Sequence, residues 1–324
     1  MYFNMPEYPE CKEMRVGSEY NGWRLDVFLR AHYLDFSRSW LQKLIKKGNA
    51  LTNSKKAKPD TRLKTGDVVL FKLALPPEIS LEPDSSLGEK IKIIFENDDF
   101  LVIDKPTGLS AHPSSTEPKG TLVNWLLYHF PAIKSVGEMI ESGNIRPGIV
   151  HRLDKDTSGV MVVAKNQKSF LWLKSQFQNH KVVKKYLALV NGMPEKENGT
   201  IDFNIARSRT DPTKNVALKI KTDGRYAITR WLVVKKFSSH TLLEITPETG
   251  RMHQIRVHLK AAGWPVSGDK KYGQPSKDPK HLGRMFLHAE YLSFTSPNGE
   301  KFSFNSPLPR ELEDCLRNIP FVVR

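Results

Sequence analysis

Cysteine is almost missing from this chain. Among 324 residues only Cys11 and Cys315 occur. They could pair with each other, but a disulfide framework is not indicated, and no cysteine cluster of the zinc-binding kind is present. Long apolar runs are missing too: none approaches the ~20 residues that a membrane-spanning helix needs. There is no glycine-rich phosphate loop. The histidines are not spaced as ligands, since His253 and His258 lie five apart and off a common helix face. The opening residues, Met1-Tyr2-Phe3-Asn4-Met5-Pro6-Glu7, lack a basic-then-apolar leader pattern, so a cytoplasmic location is the default. Neither an internal repeat nor a low-complexity tract interrupts the chain.

Acidic residues are also scarce. Lys and Arg number 50 against 35 Asp and Glu, a formal charge of +15. An excess of that size favours a polyanionic partner. It is unevenly spread: residues 23–72 carry 12 Lys and Arg against 4 Asp and Glu, about half of the excess. A solvated basic surface would have the same composition. Membrane binding fits less well, because the cations are not confined to one face of an apolar helix. RNA is the partner this charge favours, and no membrane role is expected.

Residues 1–22 read as a polar arm, with Pro6, Pro9 and few periodic apolar positions. Leu25, Phe28 and Leu29 then recur at helical spacing. Ser37 is placed to cap a second helix, with Trp40, Leu41, Leu44 and Ile45 as its apolar face and Gly48 as its stop. Lys43, Lys46 and Lys47 flank that face. Short strands are expected around 50–52 and 67–71. Arg24-Leu25-Asp26, Ser37-Arg38-Ser39 and Gly66-Asp67-Val68-Val69 make residues 23–72 resemble the S-four domain, a small α+β RNA-binding module. That resemblance makes Arg24, Arg38, Lys43, Lys46 and Lys47 candidate RNA contacts. One departure is Asn53-Ser54, where Asn-Gly is the commoner hairpin turn.

Residues 73–90, with Pro76, Pro77 and Pro83, read as a linker. From 91 to 324 the pattern is α+β. Strands are expected at 92–95, 100–103, 159–164, 186–190, 228–234 and 241–245, and helices near 121–130, 168–179 and 252–262. Strands outnumber helices and follow one another through short turns. A mixed, largely antiparallel sheet with flanking helices fits that order.

The most telling segment is His151-Arg152-Leu153-Asp154-Lys155-Asp156-Thr157-Ser158-Gly159, ahead of the apolar run 160–164. It sets a carboxylate, Asp154, between two cations. Such a carboxylate can serve as a nucleophile or a base. Charge pattern alone would also suit a surface salt-bridge cluster. Three further segments follow the same order as in one known family. They are Ile103-Asp104-Lys105-Pro106-Thr107-Gly108-Leu109 with His112-Pro113, then Lys184-Lys185-Tyr186-Leu187-Ala188-Leu189-Val190, then Gly250 to Leu259 with Gly268-Asp269 and Tyr272-Gly273. Over residues 90–310 the chain resembles the RluA-type pseudouridine synthases. The resemblance implies a mixed sheet crossed by a central cleft, and an isomerase that turns uridine in RNA into pseudouridine without a cofactor. The bond from ribose to the ring nitrogen breaks, the base rotates, and a ring carbon bonds to the same ribose.

By the same resemblance, Asp154 acts at the anomeric carbon, through an acylal adduct or a glycal. Asp156, the alternative carboxylate, would share its face in an extended segment. Arg256 is the candidate partner of Asp154, with Arg251 as runner-up and a candidate phosphate contact. Tyr186 would stack on the target base, and its hydroxyl could take or give a proton. Arg152 would fill the space left by a flipped nucleotide, and Lys105 and His112 would shape the cleft. The basic N-terminal module resembles the branch of the family that modifies large-subunit ribosomal RNA, so a monomer acting on structured ribosomal RNA is expected. A non-catalytic RNA-binding or ribosome-assembly factor on the same fold is the alternative. A glycoside hydrolase would need a second acid, for which only Asp156 offers itself.

Overall fold

The computed structural model describes residues 11–33, 36, 38–74, 81–113, 117, 119–137, 146–208, 210–211, 213–219 and 223–320. The chain divides into two units, Met1–Ser80 with Glu138–Arg146, and Leu81–Gly137 with Pro147–Arg324. No helix among the described residues is long and apolar enough to cross a membrane.

In the first unit the helical stripes bury as their spacing predicts. Leu25, Phe28 and Leu29 lie on α1 (Leu25–His32), and Trp40, Leu41, Leu44 and Ile45 on α2 (Arg38–Lys46), all in one core. Ser37, the expected cap of α2, lies outside the described residues. Gly48, at φ +88°, takes the left-handed conformation that stops a helix. Four antiparallel strands complete the unit: β1 (Lys12–Arg15), β2 (Ala50–Thr52), β3 (Lys55–Lys56) and β4 (Val68–Phe71), in the order β1-β4-β2-β3. The Asn53-Ser54 turn keeps a tight hairpin without glycine, both residues having positive φ. Asn53 holds it, since its side chain accepts from the Val68 N–H at 2.9 Å and donates to Asp67 at 2.8 Å.

The second unit is built on β5 (Lys92–Glu96), β6 (Phe100–Lys105), β7 (Ser158–Ala164), β8 (Val183–Asn191), β9 (Asn198–Asp202), β10 (Asn204–Arg207), β11 (Asn215–Leu218), β12 (Ile228–Lys236), β13 (His240–Pro247), β14 (Leu287–Thr295) and β15 (Lys301–Asn305). Nine of these form one sheet, β5-β6-β7-β14-β8-β13-β12-β9, with β15 on β14; β10 and β11 pair separately. Every pairing in it is antiparallel except β7 with β14. The helices are α3 (Leu122–His129), α4 (Gln167–Gln178), α5 (Gln254–Ala261) and α6 (Arg310–Arg317). β7 is wholly buried at the centre, as expected of an apolar run covered on both faces. Gly159 permits the parallel pair, because a Cβ there would stand 2.2 Å from the Ala289 carbonyl oxygen. The result is the expected mixed α+β sheet. The expected strands and helices lie within β5–β8, β12, β13 and α3–α5, apart from end residues; β9–β11, β14 and β15 were not anticipated, although Lys301–Asn305 alternates apolar and polar residues.

Two expectations need correction. Residues 12–22 are not a loose arm: β1 pairs with β4, and Met14 and Val16 bury in the first core. Two apolar positions are too few to register as a period. Nor are residues 81–90 a free linker. Leu81 and Leu87 pack on the core of the second unit, the Asp84 N–H donates to the Asn124 carbonyl, and the Trp125 indole donates to the Gly88 carbonyl. Leu73 and Ala74 likewise pack on the first core.

Candidate active site

Asp154 sits in the turn that leads into β7. The turn is closed by the Thr157 N–H donating to the Asp154 carbonyl at 3.1 Å, with Leu153 buried beneath. The segment is thus not extended, and Asp156 does not follow Asp154 along one strand face. Two groups from the end of β6 brace it. The Lys105 ammonium donates to the carbonyls of Pro106 (2.8 Å), Leu109 (2.9 Å) and Lys155 (3.2 Å), and the Thr107 hydroxyl donates to the Asp156 carbonyl at 3.0 Å. Lys105 is fully buried, and that burial brings its pKa down to about 7, with Arg284 adding to the fall. It is a strut under the loop and is not among the residues that line the cleft. His112 is half-buried, its Nδ1 2.8 Å from the Pro113 carbonyl.

The cations beside Asp154 in sequence are not its partners. Lys155 pairs with Glu117 at 2.8 Å, and Arg152 stands exposed on the cleft wall. The partner comes from the first turn of α5. Arg256 Nη1 donates to Asp154 Oδ2 at 2.9 Å, while Nε and Nη2 grip both oxygens of Asp269 at 2.7 Å each. Asp269 also accepts the backbone N–H groups of Lys271 (2.9 Å) and Tyr272 (3.0 Å). Desolvation pulls the Arg256 pKa down and pushes that of Asp269 up. The pairing overrides both, so Arg256 titrates above and Asp269 below its ordinary value. The Tyr272 ring lies 5.1 Å under the guanidinium. Arg251, the runner-up, points elsewhere, its Nε donating to the Tyr226 carbonyl at 3.0 Å.

Gln254 anchors the start of α5 in the sheet. Its carbonyl accepts from Thr249 and the Arg251 N–H, and its amide donates to Ile228 and Thr229. Immediately before it, His253 lines the cleft with Nε2 at 3.9 Å from Asp154 Oδ2. The cleft measures about 380 Å³ and is walled by Arg152, Lys155, Lys214, Arg256, Lys270 and Lys271 against the carboxylates Asp154 and Asp156, with His253. Tyr186, on β8, packs against two of the core clusters and stays partly exposed. Burial first, and then the charge of Asp154, raise its pKa, so the phenol keeps its proton.

Sequence reading missed three members of this site: His253, Asp269 and Tyr272. All lie in segments already matched, but their roles depend on side chains meeting. His258, on the same helix, is a strut, bonded to Thr229 (2.9 Å) and the Phe203 carbonyl (3.0 Å). His151 stacks on Phe177 at 4.3 Å and accepts the Val162 N–H. Among the described residues no three His, Cys, Asp or Glu side chains cluster as metal ligands.

In the first unit, Arg24 and Arg38 share a structural task. Both bond the fully buried Asp26, Arg24 at 3.0 Å and Arg38 at 2.9 Å, and Gln42 bonds it too. Burial alone would raise the Asp26 pKa; the bonds from Arg24, Gln42 and Arg38 reverse that and lower it. Lys43 lies 5.2 Å over the Trp40 ring, and Lys46 and Lys47 are exposed.

The comparisons with known proteins agree with this geometry. The family model for RNA pseudouridylate synthase matches residues 99–261. An uncharacterized RNA pseudouridine synthase of Bacillus subtilis is 36% identical over 308 residues, covering 95% of this chain and 97% of the relative. One from Aquifex aeolicus is 40% identical over 310 residues, covering 93% and 94%. The ribosomal large subunit pseudouridine synthase D of Xanthomonas campestris is 38% identical over 307 residues, covering 91% and 88%. Among solved structures, human RNA pseudouridylate synthase domain containing 1 superposes with a TM-score of 0.58 at 27% identity, covering 75% of this chain and 90% of that one. The matched span contains both Asp154 and Arg256, and the relatives run nearly end to end with the sequence; the chain belongs to the RNA pseudouridylate synthase family, isomerases that act on RNA.

Proposed function

We propose that this enzyme isomerises specific uridines of large-subunit ribosomal RNA and that Asp154 is the residue that acts on the ribose. The observation that carries the assignment is the division of Arg256. Two of its N–H groups hold Asp269, one reaches Asp154 Oδ2, and among the described residues nothing donates to Oδ1. A buried, fixed arginine thus orients the carboxylate and leaves one oxygen able to meet the anomeric carbon or the positive charge that builds there. Tyr186 stacks on the uracil and presents a protonated hydroxyl. Arg152, exposed on the cleft wall, fills the gap left by the flipped nucleotide, and Arg251 contacts phosphate.

The first unit is the RNA-holding module in this reading, similar to an S-four domain. Arg24 and Arg38 bear on the buried Asp26 with 36% and 49% of their side chains exposed, so their outer nitrogens remain open to phosphate, beside Lys43, Lys46 and Lys47. The large-subunit assignment draws on relatives of that name in three bacteria and on the basic excess in residues 23–72. A non-catalytic assembly factor would have no use for an arginine divided between two carboxylates. Tritium release from ribosomal RNA labelled at uridine C5 tests the activity. Mapping pseudouridines in RNA from a deletion strain and its parent tests the target. Sites lost only outside large-subunit RNA would overturn the assignment.

A further inference from the structure

His253 has features that a helix-capping role does not explain. Its backbone is left-handed, at φ 58° and ψ 18°, yet its side chain makes no capping bond to α5. A non-glycine residue held in that region bears strain, which persists only where the surroundings enforce it. What the strain secures is the direction of the imidazole. Nδ1 lies 2.8 Å from the Tyr272 hydroxyl, and Nε2 faces Asp154 Oδ2 at 3.9 Å, the same oxygen that Arg256 holds.

The hydrogen bonds favour one tautomer. The Tyr272 hydroxyl oxygen already accepts the Asn215 backbone N–H at 2.8 Å, and its own proton is then free to point at His253 Nδ1. Burial raises the Tyr272 pKa, so that proton is present, and burial lowers the His253 pKa, so the imidazole is neutral. With Nδ1 accepting, the ring proton sits on Nε2 and points at Asp154. In the other tautomer a lone pair would face the carboxylate.

We propose that His253 is a positioning residue for Asp154: Tyr272 fixes its tautomer, and its Nε2–H joins Arg256 in drawing Oδ2 to one side, leaving Oδ1 to the ribose. At 3.9 Å the contact is too long for a hydrogen bond. Catalytic contacts commonly tighten only when substrate fills the site, and a single water also spans such a gap. No proton changes hands. The inference rests on Asp154 being the acting carboxylate.

The test uses the full-length enzyme and tritium release under steady-state conditions. Glycine and asparagine both accept the left-handed backbone, so His253→Gly and His253→Asn remove the imidazole without disturbing the turn. Each should lower kcat about 10–100-fold, the range lost when an orienting partner is removed, with KM and melting temperature near those of the parent. Added imidazole should restore part of the His253→Gly rate, which it would not do for a merely structural residue. Tyr272→Phe should mimic the loss, and the double variant Tyr272→Phe/His253→Asn should be no worse than His253→Asn alone. Full kcat in both His253 variants, or strictly additive losses with no imidazole rescue, would overturn the proposal. An active Asp154→Asn would overturn the underlying reading instead, and an inactive Asp154→Asn beside fully active His253 variants would overturn this inference alone.

Discussion

Each unit of this protein keeps carboxylate and arginine together out of water, with opposite stoichiometry. In the first unit one buried carboxylate, Asp26, is held by two half-exposed arginines, Arg24 and Arg38. In the second, one buried arginine, Arg256, is held between two carboxylates, Asp269 fully buried and Asp154 reaching the cleft. The first cluster has a net charge of +1 and turns its cations outward. The second has a net charge of −1 and turns one anion inward to a cleft whose walls are mostly cationic. In the proposed reading the same ion-pair chemistry makes a surface for phosphate in one place and a reactive oxygen in the other. What decides the use is which member of the cluster is left partly exposed.

The sharpest break in that comparison is Asp154→Asn. It keeps the shape and removes the charge, so kcat should fall by ~10³-fold or more, as for removal of a covalent or electrostatic catalyst. Melting temperature and RNA affinity should stay near the parent values. Near-normal tritium release would shift the role to Asp156.

Arg256→Ala strikes the centre of the second cluster. It leaves Asp269 buried without its cation, a loss of about 3–5 kcal/mol in stability, together with a steep fall in rate. Arg24→Ala should be milder, because Arg38 and Gln42 still serve Asp26 and the removed side chain was partly exposed. Denaturant titrations of the two variants give the ranking directly. Equal losses would mean that the inverted stoichiometry carries no energetic difference.

Deleting residues 1–80 should weaken binding to ribosomal RNA fragments and flatten its salt dependence, by about one unit of log–log slope for each phosphate that is no longer neutralised. The cut belongs at 80, the end of the first unit, since residues 81–90 pack on the catalytic core. Titration at several salt concentrations reads the slope. Unchanged slopes would rule out the first unit as a phosphate-binding surface.

Acid should separate the units more gently. Burial, aided by the charge of Lys184, takes His151 down to about 3, and burial also lowers His253, His258 and His288. For a base lowered by folding, stability is complete above the unfolded value near 6.5 and is lost as pH falls below it, at about 1 kcal/mol per pH unit for a fully shifted group. Asp26 is a carboxyl lowered by folding. Its contribution is complete above about pH 3.9 and is lost only as pH falls through its depressed folded value. Between pH 6.5 and 4, hydrogen exchange should therefore rise first in peptides of the second unit. A simultaneous rise in both would contradict the assignment.

The parts legible in the sequence are those governed by local spacing. Leu25, Phe28 and Leu29 announce α1, the run 160–164 announces a buried strand, and Tyr186 is placed on its strand. The residue types of the site were legible as well, because the segments around Asp154 and Arg256 match a known family. What local spacing does not carry is which groups meet. Lys105 read as a cleft residue and is a strut, because its burial depends on the loop folded over it. Met14 and Val16 read as part of an arm and belong to a core, because a four-residue edge strand is defined by its partner β4. His253 stood out only beside His258, and those two rings turn to different neighbours.

The sequence by itself determined the charge that favours RNA, the helical and strand periods, and the chemical inventory of the site. It did not determine the cation that holds Asp154. The family resemblance made Arg256 the candidate with Arg251 as runner-up, while Arg152 and Lys155 are the cations beside Asp154 in the chain. Only the tertiary structure decided for Arg256, which is 102 residues away. The physical reason is geometric. A side chain beside Asp154 is carried by the same turn, and here Lys155 leans to Glu117 while Arg152 stays on the cleft wall. An arginine on a helix anchored by Gln254 in β12 and clamped by Asp269 arrives at one fixed angle, and that angle exists only once the sheet has closed.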